Sequence, residues 1–285
     1  MSHHNDFILT LSCPDRTGIV YRVSGLLFEF GGNILDAQQF GDEETGRFFL
    51  RVHFDLPAER SAESLRERFA PLAAEHDMQW EIHDAQRRAR LLIMVSKQGH
   101  CLNDLVFRTH SGHLRADIGA IVSNHTTFEP LARSYGILFH HLPVTPDNKA
   151  EQEQRLMELV QAERIDLVVL ARYMQILSED LCQQLTGRAI NIHHSFLPSF
   201  KGARPYHQAH TRGVKIIGAT AHYVTPDLDE GPIIEQDIER VDHTFEAQDL
   251  VQVGSNVESL VLSRAVQSHV EHRILLNGNR TVVFR

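Results

Sequence analysis

Four apolar runs between residues 91 and 194 constrain the fold of this chain more than any other feature of its sequence. They read LLIMVSK, IGAIVSN, IDLVVLA and AINIHH, and segments with helical spacing separate them. Continuous apolar strands are buried on both faces of a sheet, and crossover helices between them make neighbouring strands parallel. The runs therefore predict an α/β domain built on a mainly parallel sheet.

The first 84 residues follow a different pattern. Their order is strand, helix, strand, strand, helix, strand, in which FILTLSC is the first strand and the polar turn GDEETG joins the middle two. Asp15 is a candidate cap for the first helix, and a Gly pair suits the end of that helix. This βαββαβ order predicts a ferredoxin-like domain.

The length of the chain fits two domains, since 285 residues allow about two separate cores. The pattern changes at a short charged joint, AQRRAR. We therefore predict a first domain over residues 1–84, a linker over 85–90 and a second domain over 91–285.

Charge and cysteine usage exclude several classes of partner. The net charge is −9, whereas proteins that bind nucleic acids present a basic face to phosphates. Three cysteines, far apart and in no CxxC pair, indicate a reducing compartment rather than a disulfide framework. No run approaches the roughly 20 apolar residues of a membrane span, and the N-terminus lacks the pattern of a signal peptide. We expect a cytoplasmic protein that acts on a small molecule and binds neither membrane nor nucleic acid.

The segment that begins at Asn191 places polar, titratable side chains at the ends of apolar runs. It opens with NIHHSFLPSFKG and leads to GATAHYVTPDLDEGPIIEQ. Ligands of parallel α/β sheets bind at the carboxyl ends of the strands, where SNHTT and ARYMQILS also lie. An amide, an imidazole and a carboxylate in this setting indicate an acyl-transfer site.

These two motifs resemble the folate-dependent formyltransferase family, which includes glycinamide ribonucleotide and methionyl-tRNA formyltransferases. The family's Asn-x-His signature and downstream Asp match Asn191, His193 and Asp229, and the similarity spans roughly residues 89–285. It implies a Rossmann-like fold and three catalytic roles. Asn191 would donate a hydrogen bond to the oxyanion, His193 would share that role or pass a proton to the leaving nitrogen, and Asp229 would orient or deprotonate water. Which of His193 and Asp229 is the formal base stays open.

The first domain resembles the ACT regulatory domain, because LSCPDRTGIVYRVSGLLFEFGGNI carries an Asp-Arg-x-Gly-Ile run after the first strand. ACT domains commonly pair and bind small amino acids near this turn. The resemblance implies a homo-oligomer, dimer or tetramer, and a possible amino-acid effector site; a plain strand-to-helix turn is the alternative. The candidate effector residues are Asp15, Arg16, Thr17, Gly18, Ile19 and Asn33.

The two domains together, with HHSFLPSFKGARPYHQAH, resemble the formyltetrahydrofolate deformylase family. The resemblance implies hydrolysis of 10-formyltetrahydrofolate to formate and tetrahydrofolate, which supplies formate for purine synthesis and balances one-carbon pools. The folate is then the substrate, with no prosthetic group and no metal. The resemblance implies folate-binding residues in ARYMQILS, beside His193, and in the acidic loop TPDLDEG with the residue before it. They are Met174, Gln175, Ile176, Leu177, His194, Val224, Thr225, Asp227 and Leu228.

The loop VSKQGHCLNDL favours water as the acceptor. It has a single glycine, Gly99, whereas the glycinamide ribonucleotide enzymes carry a Gly-rich loop here whose backbone amides can hold a phosphate. Two alternatives stay open: a formyltransferase to an amine acceptor such as glycinamide ribonucleotide, and a sensor of amino acids and folate without catalysis.

Three other side chains invite a functional interpretation. His194 follows His193 on a predicted strand and should point to the opposite side, so a structural and a direct role are equally open. His207 and His210 lie three apart on a predicted helix, but no third ligand completes a zinc pattern. Cys101 has no identified base and is interpreted as a small buried side chain.

Overall fold

A computed structural model of the chain describes residues 4–194 and 205–285. Its contacts divide the chain into two units, one of Met1–Arg87 with Glu271–Arg285 and the other of Arg88–Val270. No helix in the described part of the chain is long and apolar enough to cross a membrane.

The N-terminal unit has the predicted βαββαβ order. Its elements are β1 (His4–Pro14), α1 (Ile19–Glu29), β2 (Asn33–Asp42), β3 (Arg47–Pro57), α2 (Ala62–Glu75) and β4 (Gln79–Asp84). The strands form one antiparallel sheet in the order β2-β3-β1-β4. This confirms the ferredoxin-like prediction.

Both helices of this unit bury one apolar stripe in a shared core. Ile19, Val23 and Leu27 recur every four residues along α1, and Leu65 and Phe69 do so along α2. Residues at this spacing lie on one face of a helix. They therefore meet the apolar side chains of the sheet in a single cluster.

The two ends of α1 differ in how well the sequence predicted them. The N-cap is Gly18 at φ +93°, which has no side chain, so the prediction that Asp15 caps the helix is wrong. Residue 15 still belongs to the turn that follows β1, where its backbone nitrogen donates to the carbonyl oxygen of Gly46. At the other end, Gly31 at φ +88° ends the helix as predicted.

The second unit is a seven-stranded α/β layer. Its strands are β5 (Ala89–Val95), β6 (Ala116–Ser123), β7 (Leu138–His141), β8 (Leu167–Leu170), β9 (Ala189–His193), β10 (Ile216–Tyr223) and β11 (Ile233–Arg240). Its helices are α3 (His100–His110), α4 (Glu129–Ser134), α5 (Lys149–Ala162), α6 (Glu179–Gln184), α7 (Pro205–Arg212) and α8 (Ala247–Val270). The strand order is β11-β10-β9-β8-β5-β6-β7.

The four apolar runs are β5, β6, β8 and β9 of this sheet. Together with β7 they form its parallel part, whereas β10 is antiparallel to both β9 and β11. The sheet is thus mainly parallel, as predicted. The antiparallel turn-back places His222 of β10 opposite Asn191 of β9.

The last fifteen residues form a hairpin that groups with the N-terminal unit rather than with the α/β layer. Its strands are β12 (Ile274–Asn277) and β13 (Arg280–Val283). Leu275 and Phe284 pack on Phe49 of β3 in a small apolar cluster. This division differs from the predicted second domain of 91–285, because two four-residue strands carry no sequence signal for the unit on which they pack.

Candidate active site

Two of the predicted catalytic side chains are placed by one strand. Asn191 and His193 are two residues apart on β9, so they lie on the same face of the sheet. Ile192 between them is buried. The buried apolar strand therefore fixes an amide and an imidazole side by side.

Asp229 completes the predicted set. Its carboxylate oxygen Oδ1 lies 3.3 Å from the Asn191 amide nitrogen, and Oδ2 lies 3.2 Å from Nδ1 of His193. The loop after β10 reaches this position through a left-handed backbone at Asp229, φ 60°. Gly231 permits the same turn, because a Cβ there would lie 1.8 Å from the carbonyl oxygen of Tyr223. Non-glycine residues in this conformation are strained, and such strain clusters at functional sites.

The Asp229 carboxylate is stabilised in its ionised form. A hydrogen bond from His193 is the largest of the effects that hold its pKa well below the usual range of an aspartate. Because the carboxylate accepts, Nδ1 of His193 donates. Nε2 of His193 is then the ring nitrogen that can accept a proton.

His222 is a fourth member of the site that the sequence did not identify. Its Nδ1 lies 2.9 Å from the carbonyl oxygen of Tyr223, which can only accept, so Nδ1 carries a proton. In the neutral ring Nε2 then accepts from the Asn191 amide nitrogen at 3.2 Å. A histidine that is 3 % exposed inside the apolar strand IIGATAHY was the available signal.

A cleft of about 890 Å³, counted with its open mouth, adjoins these residues. Its size and its mixture of apolar and polar walls suit a small organic ligand. The lining includes every predicted catalytic and folate-binding residue except Asp227. The carbonyl oxygen of Asp227 accepts a hydrogen bond from the Thr225 hydroxyl at 3.0 Å, so this residue shapes the loop.

Three large apolar side chains stand exposed around the cleft. Met174, Ile176 and Leu228 are 60 %, 62 % and 59 % exposed. Apolar side chains that converge on one cleft offer contact to a flat, partly apolar ligand.

His194 lies on the same side as His193, contrary to the prediction. Strand β9 ends at His193, so the alternation of side chains does not continue to the next residue. The two ring centroids are 5.1 Å apart, and both rings line the cleft. Nδ1 of His194 accepts from the Arg172 guanidinium at 2.6 Å. Burial, followed by the Arg172 charge, lowers the pKa of His194 to about 4.

A buried polar network behind His194 is the second feature that sequence reasoning missed. Glu258 of α8 is 1 % exposed and accepts from the Tyr206 hydroxyl at 2.6 Å and from Nε2 of His100 at 2.7 Å. Arg172 lies 3.4 Å from the same carboxylate and donates to Gln98 at 2.7 Å and 2.9 Å. Every charged group in this network has a partner, as buried charges require.

The same network holds the one group, among the residues the structure describes, with three candidate metal ligands close together: His100, Cys101 and Glu258. Burial raises the pKa of the Cys101 thiol far above its usual range, so no thiolate ligand forms. The Glu258 oxygens already accept from His100, Tyr206 and Arg172. The donor set fits a hydrogen-bond network and does not fit a metal site.

The space beside Gly99 in the loop VSKQGHCLNDL, which is compared above with a phosphate-binding loop, is filled by a side chain. A Cβ on Gly99 would lie 2.3 Å from the ring of Phe128. Gly99 thus makes room for an aromatic ring. This packing is consistent with the prediction that the loop forms no phosphate cradle.

The predicted effector residues lie along the turn from β1 to α1 and at the start of β2. Those that are exposed to solvent are Asp15, Arg16, Thr17, Gly18 and Asn33. Ile19 is 2 % exposed and faces the core, so only its backbone is available to an effector.

The buried His194 predicts a specific dependence of stability on pH. The unfolded chain binds a proton on this ring below about pH 6.5, whereas the folded chain does so near pH 4, so the free energy of unfolding falls as the pH drops through that window. Arg172, Glu258, His193 and Asp229 are the charged or titratable groups around the ring. Between pH 7 and pH 4.5 the free energy of unfolding of the native chain should fall by about 2 to 3 kcal/mol more than that of a His194→Gln variant. Urea unfolding at both pH values measures this, and equal losses in the two proteins would contradict it.

Sequence comparison identifies both domains. The profile of the formyl transferase family matches residues 89–266, and that of the ACT domain matches residues 7–70. The first covers more than half of the chain.

Similar proteins extend over the full length of the chain. A formyltetrahydrofolate deformylase of Corynebacterium sp. (strain P-1) is 50 % identical over all of both chains. The formyltetrahydrofolate deformylase of Bacillus subtilis is 49 % identical over 97 % of this chain and 93 % of its own. The crystal structure of formyltetrahydrofolate deformylase from Burkholderia mallei superposes with a TM-score of 0.95, at 52 % identity, over 99 % of this chain and 100 % of that one.

Proposed function

Because the chain belongs to the formyltetrahydrofolate deformylase family, we propose that Asn191, His193 and Asp229 catalyse its reaction. The reaction is the hydrolysis of 10-formyltetrahydrofolate to formate and tetrahydrofolate, and the enzyme is a hydrolase that acts on a C–N bond. The observation that supports the three residues is one carboxylate within 3.3 Å of both the Asn191 amide and the His193 imidazole. The folate is the substrate, and no prosthetic group takes part.

His193 is the general base in this proposal. A carboxylate whose pKa is held as low as that of Asp229 is a weak base, whereas imidazole is the side chain that most often acts as general base in enzymes. Asp229 accepts from Nδ1 of His193 and so leaves the lone pair on Nε2. Nε2 takes a proton from water while the water oxygen bonds to the formyl carbon.

The tetrahedral intermediate then collapses. His193 returns its proton to N10, the bond between the formyl carbon and N10 breaks, and tetrahydrofolate leaves. The other proton of the attacking water, now on the hydroxyl of formic acid, passes to solvent, and the product departs as formate. Asn191 stabilises the oxyanion when its 3.3 Å hydrogen bond to Asp229 gives way to one with the substrate.

Alanine variants test this assignment. Asn191→Ala, His193→Ala and Asp229→Ala should each retain the fold and bind tetrahydrofolate, while kcat falls by about 10²-fold or more. Binding is measured by isothermal titration calorimetry, and turnover by formate release. Near-normal turnover in any two of the variants would refute the assignment.

The exposed apolar side chains around the cleft are proposed to bind the folate ring system. Ile176→Asp should raise KM by about 10-fold or more with a small change in kcat, because burying an unpaired carboxylate against an apolar ligand is costly. Phe107→Asp is the control, since Phe107 is 59 % exposed on α3 and does not line the cleft. Equal KM values for the two variants would count against this binding site.

We further propose a cytoplasmic homo-oligomer whose ACT domain binds a small amino acid at Asp15–Ile19 and Asn33. Exposed apolar side chains on α1 and β2, such as Tyr21 at 78 % and Phe28 at 80 %, offer a surface for pairing. Sedimentation of the purified protein tests pairing, and a stable monomer would end that part of the proposal. Calorimetric titration with glycine and with methionine, repeated on Asp15→Ala, tests the effector site.

A further inference from the structure

The Asn191 amide has no free hydrogen to donate to the oxyanion of the reaction. Its nitrogen carries two hydrogens and has two acceptors inside the protein, Nε2 of His222 at 3.2 Å and Oδ1 of Asp229 at 3.3 Å. Asn191 can give an oxyanion one of these hydrogens only by losing a partner. A second donor beside it would have to come from another wall of the cleft.

His194 has the properties of such a donor. The Arg172 guanidinium has no acceptor atom, so the contact of 2.6 Å between Nη1 and Nδ1 of His194 requires that Nδ1 be unprotonated. The single proton of the neutral ring is then on Nε2. The ring lines the cleft, and its centroid lies 5.1 Å from that of His193.

The network behind His194 fixes this tautomer. Arg172 is 8 % exposed, donates from Nε and Nη2 to Gln98, and has the Glu258 carboxylate 3.4 Å from Nε. Its backbone has φ 63°, a strained conformation for a residue with a side chain. The guanidinium has little freedom to leave Nδ1 of His194, and its positive charge opposes a second proton on the ring.

We propose that His194 is a further catalytic residue, which donates Nε2–H to the oxyanion of the tetrahedral intermediate, and that Arg172, Gln98 and Glu258 are positioning residues that hold it in this tautomer. A neutral imidazole stabilises the developing charge as a donor and leaves proton transfer to His193. The proposal rests on the hydrolytic function above and adds a residue to its site.

Two substitutions by amide side chains distinguish the roles of the two ring nitrogens of His194. His194→Gln places an amide nitrogen near the position of Nε2 and keeps a donor toward the cleft. His194→Asn places its amide near Nδ1, where its oxygen can still accept from Arg172, and removes the donor toward the cleft. We expect kcat to fall about 10²-fold in His194→Asn and by less than about 10-fold in His194→Gln, with KM for 10-formyltetrahydrofolate nearly unchanged in both.

Equal losses of kcat in the two variants, or near-normal kcat in His194→Asn, would overturn the proposal for His194. Neither result would affect the proposed hydrolytic function as long as the native enzyme releases formate. A native enzyme that releases no formate would instead refute the proposed function.

Nitrogen-15 NMR of the native protein gives a readout that does not depend on the folding of a variant. The signals of the His194 ring are identified because they are missing from the spectrum of His194→Gln. They should show a protonated Nε2 and an unprotonated Nδ1 from pH 5.5 to 8.5. A ring that titrates in this range, or that carries its proton on Nδ1, would overturn the proposal.

Discussion

Replacing Asp229 with asparagine should reduce kcat by about 10³- to 10⁴-fold, because an amide cannot hold His193 in the tautomer that leaves Nε2 unprotonated. The carboxylate accepts from Nδ1 of His193 at 3.2 Å, and its charge also favours the imidazolium that forms when water is deprotonated. An asparagine nitrogen at the same place would donate toward Nδ1 and favour the opposite tautomer. The shape of the loop would be kept. Steady-state formate release measures the effect.

Glu230→Gln is the matched control for this substitution. It removes the same charge one residue further along the loop, at an exposed position that does not line the cleft. Its kcat should stay within about threefold of the native value, as surface substitutions usually have small effects. Similar kcat values for Asp229→Asn and Glu230→Gln would show that Asp229 has no special role.

Replacing Glu258 with alanine should lower the free energy of unfolding of the α/β unit by about 3 to 5 kcal/mol, because it leaves a buried guanidinium without its carboxylate. Arg172 is 8 % exposed, and the Tyr206 hydroxyl and His100 would lose their acceptor as well. The Tyr206 ring also packs on α8 at Gly254, where it fills the space that a Cβ would occupy. Urea unfolding at pH 7 measures the loss.

Glu151→Ala is the control for this second substitution. Glu151 also pairs with an arginine, Arg155 at 2.6 Å, but its side chain is 60 % exposed on α5. Exposed pairs contribute little, so this variant should lose no more than about 1 kcal/mol. If both glutamate variants unfold at the same urea concentration, the buried network does not stabilise the unit.

The parts of the fold with a strong local pattern were predictable. Apolar runs identify β5, β6, β8 and β9 because both faces of each strand are buried, and the helical spacing of Ile19, Val23 and Leu27 identifies α1. The end of β9 was not predictable to one residue, and this is why His194 was placed on the wrong side. The hairpin β12-β13 was placed in the wrong unit, because its contacts with Phe49 join residues more than 200 positions apart.

The candidate site shows the same limit. Asn191, His193 and Asp229 were found because they match the signature of a known family, and the structure brings them within hydrogen-bonding distance. Arg172 and Glu258 belong to no motif, and they meet only after α8 has packed against the loop that follows β8. A family signature therefore reveals the residues that belong to it, whereas the side chains that support them require the tertiary structure.

In the proposed reaction water, rather than an amine, receives the formyl group. Hydrolysis of 10-formyltetrahydrofolate in water enriched in oxygen-18, with no acceptor and no added metal, distinguishes the two acceptors. We expect formate that carries one oxygen-18 atom, released at a rate that added glycinamide ribonucleotide does not change. Formate without the label, or turnover that begins only when the amine is added, would contradict it.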